Sequence, residues 1–198
     1  MLRSRQRPGQ DADTSTEDVA AGLMARAEKH LFLLRHAKSS WDDPGLADRD
    51  RPLAPRGRRA AKAMGDHLRR KRIAPAVVLC SSARRAKETL ELIAPSIGDD
   101  AAVLIEPELY SASAGDLLER LRRLPDTTDS ALLVGHNPAI QELALRLAGD
   151  SPRRAPIEHK YPTAALATLR FEASWSELDA GLVDLVDYVT PKKLKQSE

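Results

Sequence analysis

Four short apolar runs, at 31–34, 76–80, 102–105 and 131–134, punctuate this chain at intervals that leave room for a helix between neighbours. Runs of four or five apolar residues read as strands buried on both faces of a parallel sheet. The stretches between them switch to helical spacing. From Gly57 to Arg72, Ala60, Ala61, Met64 and Leu68 share one stripe. After the second run, Ala86, Leu90 and Ile93 do the same. A third helix is predicted to begin near Ser113, with Asp116 completing a capping box and Leu117, Leu118, Leu121 and Leu124 forming the apolar face. A fourth follows the last run, with Asn137 as N-cap, Pro138 in the first turn, Ile140, Leu143 and Leu147 inward and Gly149 as C-cap. Two further strands, at about 164–171 and 182–189, flank a short helix near Trp175. Such alternation predicts an α/β domain: a three-layer α/β/α sandwich around a mainly parallel central sheet.

The chemistry sits where these strands end. Run 31–34 leads into Arg35-His36-Ala37, and run 131–134 into Gly135-His136-Asn137. Run 76–80 leads into Ser81-Ser82-Ala83-Arg84-Arg85. Open α/β sheets keep their ligand crevices at the carboxyl ends of strands. Arginine presents a planar fork of donors suited to phosphate. An imidazole held beside that phosphate can attack phosphorus. To do so it must be neutral, with its second nitrogen donating to an acceptor such as a backbone carbonyl. A lone histidine at a strand end reads more simply as a structural cap; two histidines with arginines at three strand ends favour a phosphoryl-transfer pocket.

Three segments carry a specific resemblance: Leu-Leu-Arg-His-Ala-Lys-Ser-Ser-Trp (33–41), Ser-Ser-Ala-Arg-Arg-Ala-Lys-Glu-Thr (81–89) and Val-Gly-His-Asn-Pro (134–138). They resemble the signature stretches of the histidine phosphatase superfamily, and most of all its SixA-type phosphohistidine phosphatases. Arg51-Pro52-Leu53 with Gly57, Glu108-Leu109-Tyr110, and the stretch 160–166 fit the same branch. The resemblance implies a phosphoglycerate-mutase-like fold. It implies His36 as nucleophile, and Arg35, Arg85 and His136 as the groups that hold the phosphoryl oxygens. Arg85 is preferred over Arg84 because it directly precedes Ala86-Lys87-Glu88-Thr89. His136 is expected to be protonated when the dianion is bound. Ser39 and Asn137 are further candidates for substrate binding, although Asn137 also reads as a cap. Ser39 and Asp42 either touch the phosphate or shape the loop, and Ser81 shapes the loop beside the pocket. Many superfamily members carry an acid after the third strand. Here Ser111 stands at that position, so Glu108 is the candidate acid. An imidazole leaving group, with a conjugate-acid pKa of ~6.5, lessens the need for one.

Composition narrows the rest. The chain has 198 residues, 42% of them hydrophobic, enough for one sizeable core. Aromatics make up only 4%, so that core must be aliphatic. Thirty-one Lys and Arg against 29 Asp and Glu give a net charge of +2, which argues against a general nucleic-acid or membrane binder. The basic run from Arg56 to Arg72 reads as a solvated helix face. The one cysteine, Cys80, excludes an internal disulfide and fits a reducing compartment. No apolar run approaches the ~20 residues that span a bilayer. No secretory signal is visible, so a cytoplasmic location is expected. Residues 1–29 are expected to be a polar, disordered tail, with a short helix possible over 17–29, and 30–198 the catalytic domain. A translation start at Met24 would remove most of the tail and leave every motif intact.

The expected function is a metal-independent, cofactor-free phosphatase working through a phosphohistidine intermediate. His36 to Arg85 spans 49 positions and Arg85 to His136 spans 51, leaving little room for a large capping insertion. An uncapped pocket admits a protein surface. The expected partner is therefore a phosphorylated protein, a phosphohistidine carrier. The alternatives are a small phosphate ester and a non-catalytic module that binds phosphorylated partners.

Overall fold

Residues 27–194 are described by a computed structural model. Most of the expected tail, and with it most of the helix expected over 17–29, lies outside the described residues. Six strands form one sheet: β1 (Lys29–Arg35), β2 (Val77–Ser81), β3 (Ala102–Glu106), β4 (Ser130–Gly135), β5 (Leu166–Phe171) and β6 (Val183–Val189). Their spatial order is β3-β2-β4-β1-β5-β6. The pairs β3–β2, β2–β4 and β4–β1 are parallel, whereas β5 runs antiparallel to both β1 and β6. The mainly parallel sheet is thus observed, extended on one side by β5, antiparallel to both its neighbours, and ending there at β6.

The core follows from the period of two in a strand. Leu31 and Leu33 of β1 join one apolar cluster, and Phe32 and Leu34 join the other. Helices α3 (Ala114–Arg122), α4 (Ala139–Ala148) and α5 (Ala155–His159) cover the first face. Helices α1 (Pro55–Arg70), α2 (Arg84–Ile93) and α6 (Pro191–Leu194) cover the second. Both faces are therefore layered, and the α/β/α expectation holds. The Ser113–Asp116 capping box and the Gly149 C-cap are present. The exposed side of α1 carries the basic run, as its spacing predicts.

Three expectations need correction. The N-cap of α4 is Pro138, without a side-chain cap bond; the Asn137 amide instead donates to Gln141 Oε1 and to the Tyr161 carbonyl. The expected helix near Trp175 is a single 3-10 turn, Trp175–Glu177. His67, within the 56–72 stretch read as a solvated helix face, is 7% exposed. It lies one residue before Leu68 and three after Met64, on the buried arc of α1. Helices α5 and α6 were not foreseen, being too short to show a period.

Gly57 fixes where the loop after His36 can lie. A Cβ there would stand 2.1 Å from the Lys38 carbonyl oxygen and 2.9 Å from its carbon. Main chain cannot swing aside as a side chain can, and the same oxygen accepts a hydrogen bond from Ala54 N. Gly57→Ala should therefore cost about 1–3 kcal/mol of stability, measured by urea unfolding. An unchanged midpoint would show that helix and loop separate freely.

Candidate active site

Sheet register brings the two histidines together. Arg35 pairs with Gly135 across β1 and β4, so His36 and His136 each lie one residue beyond a shared strand end. His36 N donates to the Gly135 carbonyl at 3.0 Å, which locks that alignment. The two ring centroids are 4.9 Å apart. Strand β2 ends alongside at Ser81, whose hydroxyl lies 2.7 Å from His136 Nε2. Helix α2 then presents Arg85 from the next turn of chain.

Arg85 is the hub of the cluster. Its Nε donates to His36 Nε2 at 3.3 Å, and its Nη2 lies 3.5 Å from His136 Nδ1. Guanidinium groups only donate, so both facing ring nitrogens must offer lone pairs. His36 therefore carries its proton on Nδ1, which donates to the Ala37 carbonyl at 2.7 Å. His136 carries its proton on Nε2 and donates to Ser81. This is the tautomer of His36 that a nucleophile requires, with the other nitrogen held by a backbone carbonyl.

Electrostatics agree. Burial drives His36 down to a pKa of about 3, against the opposing bond to Ala37, with His136, Arg85 and Arg35 adding to the fall. Burial also lowers His136 to about 4, assisted by Arg85 and Arg35 and opposed by Asp48. Both rings are neutral at neutral pH. The unfolded chain protonates them below pH ~6.5 and the folded chain does not, so stability falls as the medium is acidified from there towards pH 4. Each ring contributes up to about 1.4 kcal/mol per pH unit in that window. Urea unfolding at pH 7 and pH 5 should show this loss, and His36→Gln should make the dependence shallower. A stability independent of pH across this range would contradict the neutral assignment.

Arg35 approaches from β1. Its Nη1 donates to the Tyr161 carbonyl at 2.7 Å, and its Nε is buried without a partner. Its charge adds, as the smallest contribution, to the lowered pKa of both rings. The stretch 160–166 explains itself here. Tyr161 O accepts from both Arg35 and Asn137, and the Tyr161 hydroxyl donates to Leu33 O at 2.6 Å. Ala164, at φ 59°, turns its amide onto the carbonyls of Arg35 and His36.

The Glu88-Thr89 pair is scaffold. Thr89 Oγ1 accepts from Ala37 N and donates to Arg85 O, tying the loop after β1 to α2. Glu88 receives Leu53 N, Arg58 and Arg84. Arg84 thus pairs on the exposed face, while Arg85 turns inward.

Asp48 was missed. Its carboxylate accepts from Arg85 Nη2 at 2.9 Å, Arg51 Nη1 at 2.8 Å and the Tyr110 hydroxyl at 2.8 Å. Its carbonyl accepts from Arg85 Nη1. The Tyr110 bond, with those from Arg85 and Arg51, holds Asp48 at a pKa of about 2. No periodicity in a loop announces such a residue; its spacing of three before Arg51 was the only sign. Three guanidinium groups and one carboxylate leave two net positive charges beside two neutral imidazoles, which matches a phosphoryl dianion. Arg85 touches both rings directly, so an entering phosphoryl group must replace those contacts with its own oxygens.

The other candidates fall outside this inner cluster. Ser39 Oγ accepts from Arg51 Nη2 and braces the loop. The Asn137 amide is spent on Gln141 and Tyr161. Glu108 lines a separate cavity with Glu106, Leu109 and Ser111, while Tyr110, two residues on, meets His136 edge-on at 5.6 Å. In a 3-10 turn, residues two apart point about 120° from one another. Among the described residues, no group of three or more His, Cys, Asp and Glu is arranged to hold a metal ion, and no helix is long and apolar enough to cross a membrane.

A family model for the histidine phosphatase superfamily (branch 1) matches residues 31–123. An uncharacterized protein of Mycobacterium tuberculosis is 40% identical over 163 residues, covering 80% of this chain and all of that one. A Nakamurella multipartitia structure assigned to phosphohistidine phosphatase SixA superposes with TM-score 0.73 at 30% identity, covering 83% of this chain and 97% of the other. A phosphoglycerate mutase from Plasmodium falciparum shares the fold, with TM-score 0.56 at 20% identity over 81% of this chain and 90% of its own. The chain belongs to the histidine phosphatase superfamily, in its SixA-like branch.

Proposed function

We propose that this protein hydrolyses phosphohistidine on a protein substrate, through a phosphohistidine intermediate of its own. One observation carries the reading: two neutral imidazoles turn their lone pairs towards a single buried guanidinium. His36 Nε2 attacks phosphorus in line; the new N–P bond forms as the substrate's N–P bond breaks, and the substrate ring, protonated on its distal nitrogen, leaves as neutral imidazole. Arg35 and Arg85 hold the equatorial oxygens, where charge accumulates during transfer. His136 takes up a proton on Nδ1 as the anion enters and then donates to it. Water attacks phospho-His36, releases inorganic phosphate and restores the neutral ring. The reaction runs on the protein's own side chains, without a metal or cofactor.

An imidazole leaving group suits a site whose inner shell holds no carboxylic acid; Asp48, at a pKa of about 2, is a poor proton donor. The Nakamurella structure is assigned to phosphohistidine phosphatase SixA. The residues between the signature stretches are spent on α1 to α3 and β2 to β4, with no inserted cap among the described residues. A cytoplasmic phosphocarrier is the expected partner. The test is kcat/KM on a histidine-phosphorylated carrier protein, a phosphoserine peptide and a sugar phosphate. The highest value is expected for the carrier. A preference for the sugar phosphate would make this a small-molecule phosphatase, and saturable binding without turnover would make it a binding module.

A further inference from the structure

The most exposed large apolar side chain among the described residues belongs to the loop leading out of the catalytic cluster. Trp41 is 70% exposed, five residues after His36. Isolated exposed apolar residues are ordinary. This one is fixed in place. The Arg51 guanidinium lies 3.1 Å from the centre of its ring. Arg51 is itself buried and spends its donors on Ser40 O, Asp48 Oδ1 and Ser39 Oγ. The ring therefore rests on a rigid, desolvated floor. That floor is continuous with the cluster, since Asp48 bridges Arg51 and Arg85, and Arg85 contacts His36.

Two other side chains near the mouth are tethered in the same way. Arg49 donates to Ser82 Oγ at 2.7 Å, and Tyr110 donates to Asp48. Trp, Tyr and Arg are the residue types that dominate interface energetics, most of all when they are held in place before the partner arrives. A phosphate group has no use for an indole: it needs donors, and the inner cluster supplies them.

We infer that Trp41, together with Arg49 and Tyr110, forms a preorganised docking rim for the polypeptide that carries the phosphohistidine. The inference rests on the protein-substrate reading above and adds the surface that selects the protein part. The imidazole and phosphoryl group enter the cluster, while apolar side chains around the modified histidine pack on the indole. Small phosphorylated compounds engage only the inner donors.

The experiment compares Trp41→Ala and Trp41→Phe with the unaltered chain on two substrates: a phosphocarrier protein phosphorylated on histidine, and phosphoramidate. Trp41→Ala should lower kcat/KM for the carrier by roughly 10- to 100-fold, mainly through KM. Phosphoramidate turnover should stay within about twofold, because Arg51 keeps three hydrogen-bond partners without the indole. Trp41→Phe should recover most of the loss. Equal falls on both substrates would overturn the inference, since Trp41 would then act only by supporting Arg51. No fall on either would overturn it as well. An unaltered chain that spares the phosphocarrier while hydrolysing a small ester would instead defeat the substrate reading, and the docking rim with it.

Discussion

Replacing His36 with alanine should lower turnover by about ten-thousand-fold or more and remove the covalent adduct altogether. Nε2 of His36 combines a lone pair, a proton held on the opposite nitrogen by the Ala37 carbonyl and an adjoining guanidinium. In a single turnover with radiolabelled substrate, the unaltered protein should accumulate a phosphoryl group that is labile to acid and stable to base, the signature of a phosphoramidate bond. His36→Ala should accumulate none. The substitution leaves the Ala37 carbonyl without its donor, at a cost of about 1–3 kcal/mol, so far-ultraviolet circular dichroism should confirm folding first. A folded alanine variant that still takes the label would assign the nucleophile elsewhere, and His136 would be the next residue to replace.

Arg85→Lys should be nearly as severe, with kcat/KM falling by about a hundred- to a thousand-fold. One guanidinium makes contacts with His36, His136 and both the carbonyl and carboxylate of Asp48. A lysine ammonium is a single point charge and cannot span them. Arg85→Ala should show a second effect. Removing the positive charge leaves Asp48 facing His136, so the His136 pKa should rise from about 4 towards the ordinary imidazole value, read by NMR titration of the ring. Arg84→Ala is the control. Its partner Glu88 keeps Arg58 and Leu53 N, and exposed pairs contribute about 0–1 kcal/mol, so activity should change little. If Arg84→Ala were the damaging change, the assignment between the two neighbouring arginines would be reversed.

Much of this architecture is legible along the chain because periodicity is a local signal. The alternation of Leu31 and Leu33 with Phe32 and Leu34 already separates two faces. The stripe of Met64 and Leu68 already gives α1 an inward side. Yet the reading of apolar runs has a limit. The run 102–105 looks like its three companions, but β3 is an edge strand, and Val103, Leu104 and Ile105 are all substantially exposed. Hydrophobicity marks a strand without saying how many neighbours it will have. His67 shows the converse, since a polar residue on the buried arc goes in with its helix.

Within the site, the division follows sequence distance. The Arg35-His36 pair, the choice of Arg85 over Arg84, and the Gly-His turn at 135–136 could all be identified from short motifs, because each motif is contiguous. What no local pattern contains is the register that pairs Arg35 with Gly135, and so puts two rings 100 residues apart at a centroid distance of 4.9 Å. Asp48 is of the same kind. It matters only because a turn at 48–50 folds across α2 to meet Arg85 and Tyr110, groups 37 and 62 positions away. The chain alone determined which elements form and which side chains carry charge or a lone pair, since those depend on nearest neighbours and on residue type. Tertiary structure decided which nitrogen of each ring holds the proton, how far burial lowers its affinity for a second, and which carboxylate stands against the arginine. Those properties are set by distances between groups that only folding brings together.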